Sequence, residues 1–245
     1  MGAERLIGDD GVAVSGRPER LTYYYEGGPL DEALSAARAQ AGGRLPRVAL
    51  VGLGVGALAC ARAPGEDWSV YEIDPELVWL SVRSGLFRTM PTCAPDMRIV
   101  LGDARLSLAK EKQPFDVIIL DAYSSDNVPV HLLTREAMEL YRSLLAPHGV
   151  ILMNISNRNM ELAEVVAASA AAADLKMVSK FDPSKPQFKA TFHAPATVAA
   201  LARDASDLGV LGPARGWKSA PADPGFRTWT DDYSNVLSAI LARWL

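Results

Sequence analysis

The stretch Arg47–Leu58 (RVALVGLGVGAL) constrains the fold more than any other part of the chain. Val48 to Val51 form an unbroken apolar run, the pattern of a parallel strand covered on both faces. Gly52, Gly54 and Gly56 then permit a sharp turn in which the backbone can approach a ligand with no Cβ in the way. Ala57 to Ala63 is alanine-rich and reads as the start of a helix. About twenty residues beyond Gly52, Trp68–Glu72 reads as a second strand ending in a carboxylate, and Pro75 is well placed to open the next helix. Strand, glycine turn, helix, strand and terminal acid together describe a nucleoside-binding βαβ unit in which Glu72 holds the ribose hydroxyls. Gly52, Gly54 and Ala57 also satisfy the dinucleotide pattern, so this unit alone leaves a nicotinamide cofactor open.

Strands and helices alternate through the rest of the chain. Met97–Leu101, Phe115–Leu120 and Val150–Ile155 read as strands. Helices are predicted at Asp31–Gln40, Pro75–Ser84, Arg105–Lys110, Thr134–Leu145 and Glu161–Ala173. Lys176–Phe181 and Gln187–Phe192 predict a closing antiparallel pair, followed by a helix near Thr197–Arg203 and a last helix from about Tyr233. Val12, Val14 and the aromatic run Leu21–Tyr25 predict a small β-hairpin, so residues 1–28 are expected as an N-terminal extension of a main domain at 29–245. The pattern demands an α/β fold with a mostly parallel, seven-stranded sheet and right-handed crossovers.

Composition narrows the function classes. A net charge of −4 offers no basic field for nucleic acid. No apolar run is long enough to cross a bilayer, so no membrane partner is expected for the chain as given. Cys60 and Cys93 are too few for a disulfide framework and are read as packing residues in a reducing, cytoplasmic compartment. His131, His148 and His193 lack metal-ligand spacing, and no metal is expected.

In such a sheet the ligand sits outside the carboxyl ends of the strands. The Gly52–Gly56 loop, Glu72, Asp103 and Asp121 all fall there. Asp103, with the backbone N–H of Ala104, is suited to an adenine amino group and ring nitrogen, and equally to capping the helix that follows.

Val48–Gly56, Tyr71–Asp74, Gly102–Ala104 and Phe115–Asp121 resemble the class I S-adenosylmethionine-dependent transferase fold, a Rossmann-like arrangement. Within it they are most similar to the spermidine synthase (polyamine aminopropyltransferase) family. Asp121–Thr134 (DAYSSDNVPVHLLT) and Trp229–Leu237 (WTDDYSNVL) resemble a bacterial branch in which this domain is often fused to membrane segments. The resemblance implies decarboxylated S-adenosylmethionine or S-adenosylmethionine as co-substrate, a small-molecule amine as acceptor, and a homodimer. It implies Asp121 as the base that takes the acceptor's proton and Asp126 as a second acid for the diamine, with Tyr123 as a wall. Asp231 and Asp232 are then candidates for lining the acceptor pocket, or for a helix start capped by Thr230. Asn154, Ser156, Asn157 and Arg158 end the fifth strand near the same rim, where they would touch substrate or satisfy a turn.

The chain departs from the family at several places. Val55 stands where spermidine synthases carry an acid in the glycine loop, and Gly27 stands where a histidine precedes the Pro-Leu pair. Asp126–Asn127 replaces Asp-Pro, and the donor-binding glutamine has no clear equivalent upstream of Leu21. Two further readings therefore stay open beside aminopropyl transfer: an S-adenosylmethionine-dependent small-molecule methyltransferase, and a non-catalytic nucleoside-binding module. Asp103, Asp121 and the closing strand pair set aside an NAD-dependent oxidoreductase.

Overall fold

A computed structural model of the 245-residue chain describes residues 3–7, 13–122, 129–183 and 192–244. The strands are β1 Arg47–Val51, β2 Asp67–Glu72, β3 Arg98–Leu101, β4 Phe115–Leu120, β5 Leu145–Asn154, β6 Lys176–Asp182, β7 Ala196–Ala202 and β8 Lys218–Ser219. The helices are α1 Pro29–Gln40, α2 Pro75–Val82, α3 Thr89–Cys93, α4 Ala104–Leu108, α5 Arg135–Ser143, α6 Ala163–Ala172 and α7 Val236–Trp244. All eight strands form one sheet in the order β3-β2-β1-β4-β5-β7-β6-β8. The first five are parallel, whereas β7 runs antiparallel to both β5 and β6. The expected seven strands thus gain an eighth, a two-residue edge strand on β6.

Alternation along the strands supplies two cores. Ala49, Val51, Ile118, Leu120, Ile151 and Met153 face one side, under α4, α5 and α6. Val48, Leu50, Val117, Ile119, Val150 and Leu152 face the other, against α1 and the Ala57–Ala61 turn. Burial on both faces explains why β1 and β4 read as continuous apolar runs. Helix starts follow their caps. Asp74 accepts from Glu76 N and Leu77 N ahead of Pro75, and Thr134 accepts from Ala137 N.

Three local expectations are corrected. Thr197–Arg203 was expected as a helix, but Ala196–Ala202 is the closing strand. Its alanines favour a helix in isolation; placement between β5 and β6, with both faces buried, overrides that preference. The strand predicted at Gln187–Phe192 falls almost wholly on residues 184–191, outside the described residues. Ala57–Ala63 forms only a five-residue 3-10 turn, Ala57–Ala61, because the chain re-enters the sheet at Asp67. The run Leu21–Tyr25 is not a strand: Thr22 adopts a left-handed φ of 59° and Tyr23–Tyr24 turn. Among the described residues, the N-terminal segment carries one internal bridge, Ile7 to Ala13.

The start of the sheet is tied to α1 by a buried carboxylate. Glu66, 1% exposed, accepts from Arg38 Nε at 2.7 Å and Nη2 at 2.9 Å, and also from Leu45 N, Ala63 N and Trp68 Nε1. Burial works to raise its pKa, but the Arg38 and backbone donors outweigh it and hold the carboxyl below the usual glutamate value. Arg38→Met is expected to cost about 3 kcal/mol in urea unfolding. A folded value below the unfolded one means that this stability is present above the ordinary glutamate range and is lost as pH falls through the lowered value. The wild-type and Arg38→Met unfolding curves should therefore converge in acid.

Candidate functional site

The carboxyl ends of β1, β2, β3, β4 and β5 bring the Gly52–Gly56 loop, Glu72, Asp103, Asp121 and Asn154 to one rim. The three loop glycines all have positive φ, but for different ends. A Cβ on Gly52 (φ 93°) would lie 2.5 Å from the carbonyl oxygen of Asp121, and one on Gly56 (φ 76°) would lie 2.5 Å from Met90 Cγ. These two are demanded by packing. Gly54 (φ 52°) faces open space, where a ligand can approach the backbone. Buried hydroxyls hold the loop carbonyls: Ser81 Oγ donates to Gly54 O, and Thr89 Oγ1 donates to Val55 O at less than the usual length.

Cys60 and Cys93 form a disulfide, with Cα atoms 4.9 Å apart and a separation of 33 positions in sequence. This corrects their reading as separate packing residues. It also removes the argument for a reducing compartment, which rested on unpaired thiols. The pairing follows from the close approach of α3 to the glycine loop at Gly56, which brings Cys93 to the Ala57–Ala61 turn.

Glu72 is 6% exposed, and each of its oxygens accepts one backbone N–H, Oε2 from Leu53 at 2.8 Å and Oε1 from Asp74 at 2.9 Å. Each keeps a second lone pair, so the pair can take two hydroxyls of one sugar. The next residue, Ile73, is 66% exposed, and Leu106, three residues beyond Asp103, equally so. These are apolar surfaces of the kind a flat purine covers. Asp103 does cap α4, accepting from Leu106 N at 2.9 Å through Oδ1. Its Oδ2 lies 3.3 Å from His131 Nε2. Ala104 opens α4, so its N–H is one of the donors that a helix leaves unused.

Asp121 is held from two sides. Asn154 Nδ2 donates to Oδ1 at 2.8 Å, and the Tyr24 hydroxyl donates to Oδ2. Burial pushes the carboxyl above the usual aspartate value, against the pull of those two donors. Burial and the charge of Asp121 push the Tyr24 phenol well up, so it stays protonated as a donor. Tyr24 arrives on a strap. Thr22 bridges to His193, with Thr22 N donating to Phe192 O and Ala194 N donating to Thr22 O. The aromatic run thereby crosses the strand ends: Tyr24 reaches Asp121 after β4, while Tyr25 bonds Asp182 at the end of β6 and stacks on His193 at 3.9 Å. Sequence reasoning assigned no role to Tyr24. The available signal was the tyrosine run just ahead of Pro29–Leu30, which was read as strand propensity.

Tyr123 and Asp126 lie outside the described residues. Asp231 is engaged by Arg105 at 2.6 and 2.7 Å and by Thr134 Oγ1 at 2.8 Å, and the Arg105 bonds hold its carboxyl below the usual aspartate value. It fastens the C-terminal segment to α4 and α5. Asp231 and Asp232 form the tip of a tight turn closed by Thr230 and Tyr233, and the final helix starts at Val236 rather than Tyr233. Among the described residues no group of three or more His, Cys, Asp or Glu is placed to hold a metal, and no helix is long and apolar enough to cross a membrane.

A polyamine aminopropyltransferase from Vibrio vulnificus (strain CMCP6) is 32% identical over 114 residues, which cover 44% of this chain and 37% of the relative. The chain resembles the polyamine aminopropyltransferases. A probable spermidine synthase from Corynebacterium glutamicum ATCC 13032 superposes with a TM-score of 0.55 at 20% identity, over 84% of this chain and 81% of that one. The spermidine synthase of Thermotoga maritima superposes with a TM-score of 0.52 at 14% identity, over 94% and 75%. No protein-family model matches the chain. The fold is thus the α/β arrangement seen in the spermidine synthase structures. The matched stretch spans little more than a third of the Vibrio relative.

The two kinds of glycine separate in stability. Gly54→Ala is expected to cost about 1–2 kcal/mol from its left-handed backbone alone. Gly52→Ala adds a collision with backbone and should cost on the order of 4 kcal/mol in chemical unfolding. Reduction of Cys60–Cys93, or the double change to serine, releases a long loop and should cost about 3–4 kcal/mol, read by unfolding with and without reductant.

Proposed function

We propose that the chain is a transferase that binds an adenosyl sulfonium, decarboxylated S-adenosylmethionine, and moves its aminopropyl group to a small polyamine. The observation that carries this reading is Asp121, a carboxylate beside the glycine loop with a hydrogen-bond donor on each oxygen. The bound sulfonium supplies an electrophilic carbon and a neutral thioether leaving group. The rest falls to the protein. An acceptor amine is protonated in water and must lose a proton to attack; Asp121 attracts the ammonium and takes that proton. Glu72 takes the ribose hydroxyls, Asp103 and Ala104 N–H the adenine edge, and Ile73 and Leu106 its faces. Gly52, Gly54 and Gly56 shape the loop against the donor. Asp126 and Tyr123 are proposed for the acceptor on the family resemblance, with Asp232 exposed at the turn beyond.

Val55 supports a second reading, methyl transfer from S-adenosylmethionine, because the loop offers no acid to the amino end of the decarboxylated donor. Parallel calorimetric titration with the two donors and methylthioadenosine separates the readings. The decarboxylated donor is expected to bind at least tenfold more tightly than S-adenosylmethionine; the reverse order moves the assignment to methyl transfer. Asp121→Asn is expected to lower turnover at least 100-fold while leaving donor affinity unchanged. Its raised pKa predicts that kcat/KM falls on the acid side at a pH above the ordinary aspartate value, as Asp121 gains its proton.

A further inference from the structure

We propose that Asn154 and Ser156 are positioning residues that leave Oδ2 of Asp121, and not Oδ1, as the oxygen that receives the proton. The inference rests on the reading of Asp121 as base and adds to it a direction. The chain of hydrogen bonds begins at β7. Thr197 N–H, which can only donate, donates to Ser156 Oγ at 2.9 Å. The Ser156 hydroxyl then donates onward to Asn154 Oδ1 at 2.6 Å; its alternative acceptor, Thr197 O, is 3.5 Å away. Ser156 N–H donates to the same Asn154 oxygen at 3.1 Å. Two donors therefore fix the carbonyl end of the amide, which is 2% exposed. A flipped amide would face its own N–H groups to the Ser156 donors and its carbonyl to the Asp121 carboxylate. The Nδ2 group is thus committed to Asp121 Oδ1 at 2.8 Å and has no acceptor to offer in return.

The other oxygen has a different neighbour. The Tyr24 hydroxyl donates to Oδ2 while Asp121 is ionised, and by rotating it can accept from Oδ2–H once Asp121 is protonated. Protonation at Oδ2 therefore keeps both hydrogen bonds, whereas protonation at Oδ1 requires a new acceptor. Among the described residues, the titratable group on Asp121 is Tyr24, itself in edge contact with Tyr23; β5 brings the neutral amide and β1 brings the backbone of Gly52. In the transfer step the C–S bond breaks with its electron pair going to sulfur. The new C–N bond uses the amine lone pair, and the amine proton passes to Oδ2.

Ser156→Ala tests the relay while leaving Asp121, Tyr24 and Asn154 in place. It removes the hydroxyl at 2.6 Å from Asn154 Oδ1 and leaves the backbone N–H at 3.1 Å. The loosened amide can turn its carbonyl to a protonated Asp121, so the neutral acid gains a partner and its pKa rises. The Asp121 carboxyl carbon is followed by NMR across a pH titration of the full chain, beside the acid limb of kcat/KM. In Ser156→Ala both are expected to move up by about half a pH unit or more, and in Asn154→Leu further. Ser156→Thr, which keeps the hydroxyl, should restore both. An unmoved Asp121 resonance in a folded Ser156→Ala chain overturns the relay. A moved resonance with an unmoved acid limb supports the relay and overturns instead the reading of Asp121 as base.

Discussion

The site depends on the place where β1 and β4 end side by side. Asp121 N donates to Val51 O at 2.9 Å, and the residue just after β1, Gly52, lies so close that a side chain there would overlap the Asp121 carbonyl. That contact fixes the distance between the glycine loop and the carboxylate. Gly52 N also donates to Tyr71 O, and Gly102 N donates to Glu72 O, so the ends of β2 and β3 are set by the same ladder. Backbone hydrogen bonds at strand ends place all the acids at one level. The side chains then need only short reaches to meet one ligand.

Asp121 is a balance of opposed terms. Burial favours its neutral acid, while Tyr24 and Asn154 favour its anion. A base in water-exposed surroundings would stay ionised but would take a proton weakly; a buried one without donors would be protonated already. Two donors on a partly buried carboxylate put it between those limits, which suits the role of base proposed for it. The tyrosine strap serves both sides of the balance, because it covers the carboxylate and supplies a donor in one stroke. It also joins the end of β4 to the end of β6 through Tyr25 and Asp182, so the antiparallel part of the sheet helps to place Asp121.

The parallel half of the fold was legible because its strands are buried on both faces. Val48–Val51 and Phe115–Leu120 have no competing pattern, and Gly52 and Asp121, which follow them, mark the rim. Glu72, Asp103 and Asp121 could be placed from strand ends alone. Ala196–Ala202 could not, because alanine favours a helix locally and only the gap between β5 and β6 makes it a strand. The tyrosine run misled for a related reason. Its aromatic residues suit a strand, but Thr22 turns the chain and the rings are used singly, each against a different carboxylate. The disulfide was hidden by sequence distance, since nothing local places Cys93 beside the turn that follows the glycine loop.

The shortness of that turn explains the hardware around it. In a dinucleotide-type unit a long helix behind the glycine loop packs on the sheet and holds the loop by its own length. Here the helix is a five-residue 3-10 turn, too short to do so. Other contacts stand in its place: the hydroxyls of Ser81 and Thr89 on the loop carbonyls, Met90 filling the space a Cβ would take at Gly56, and the Cys60–Cys93 bond anchoring the turn to α3. Three of these come from α3, and the hydroxyl of Ser81 from α2. The segment after β2 thus does for the loop what its own helix does elsewhere, and the glycine loop is held by residues from outside it.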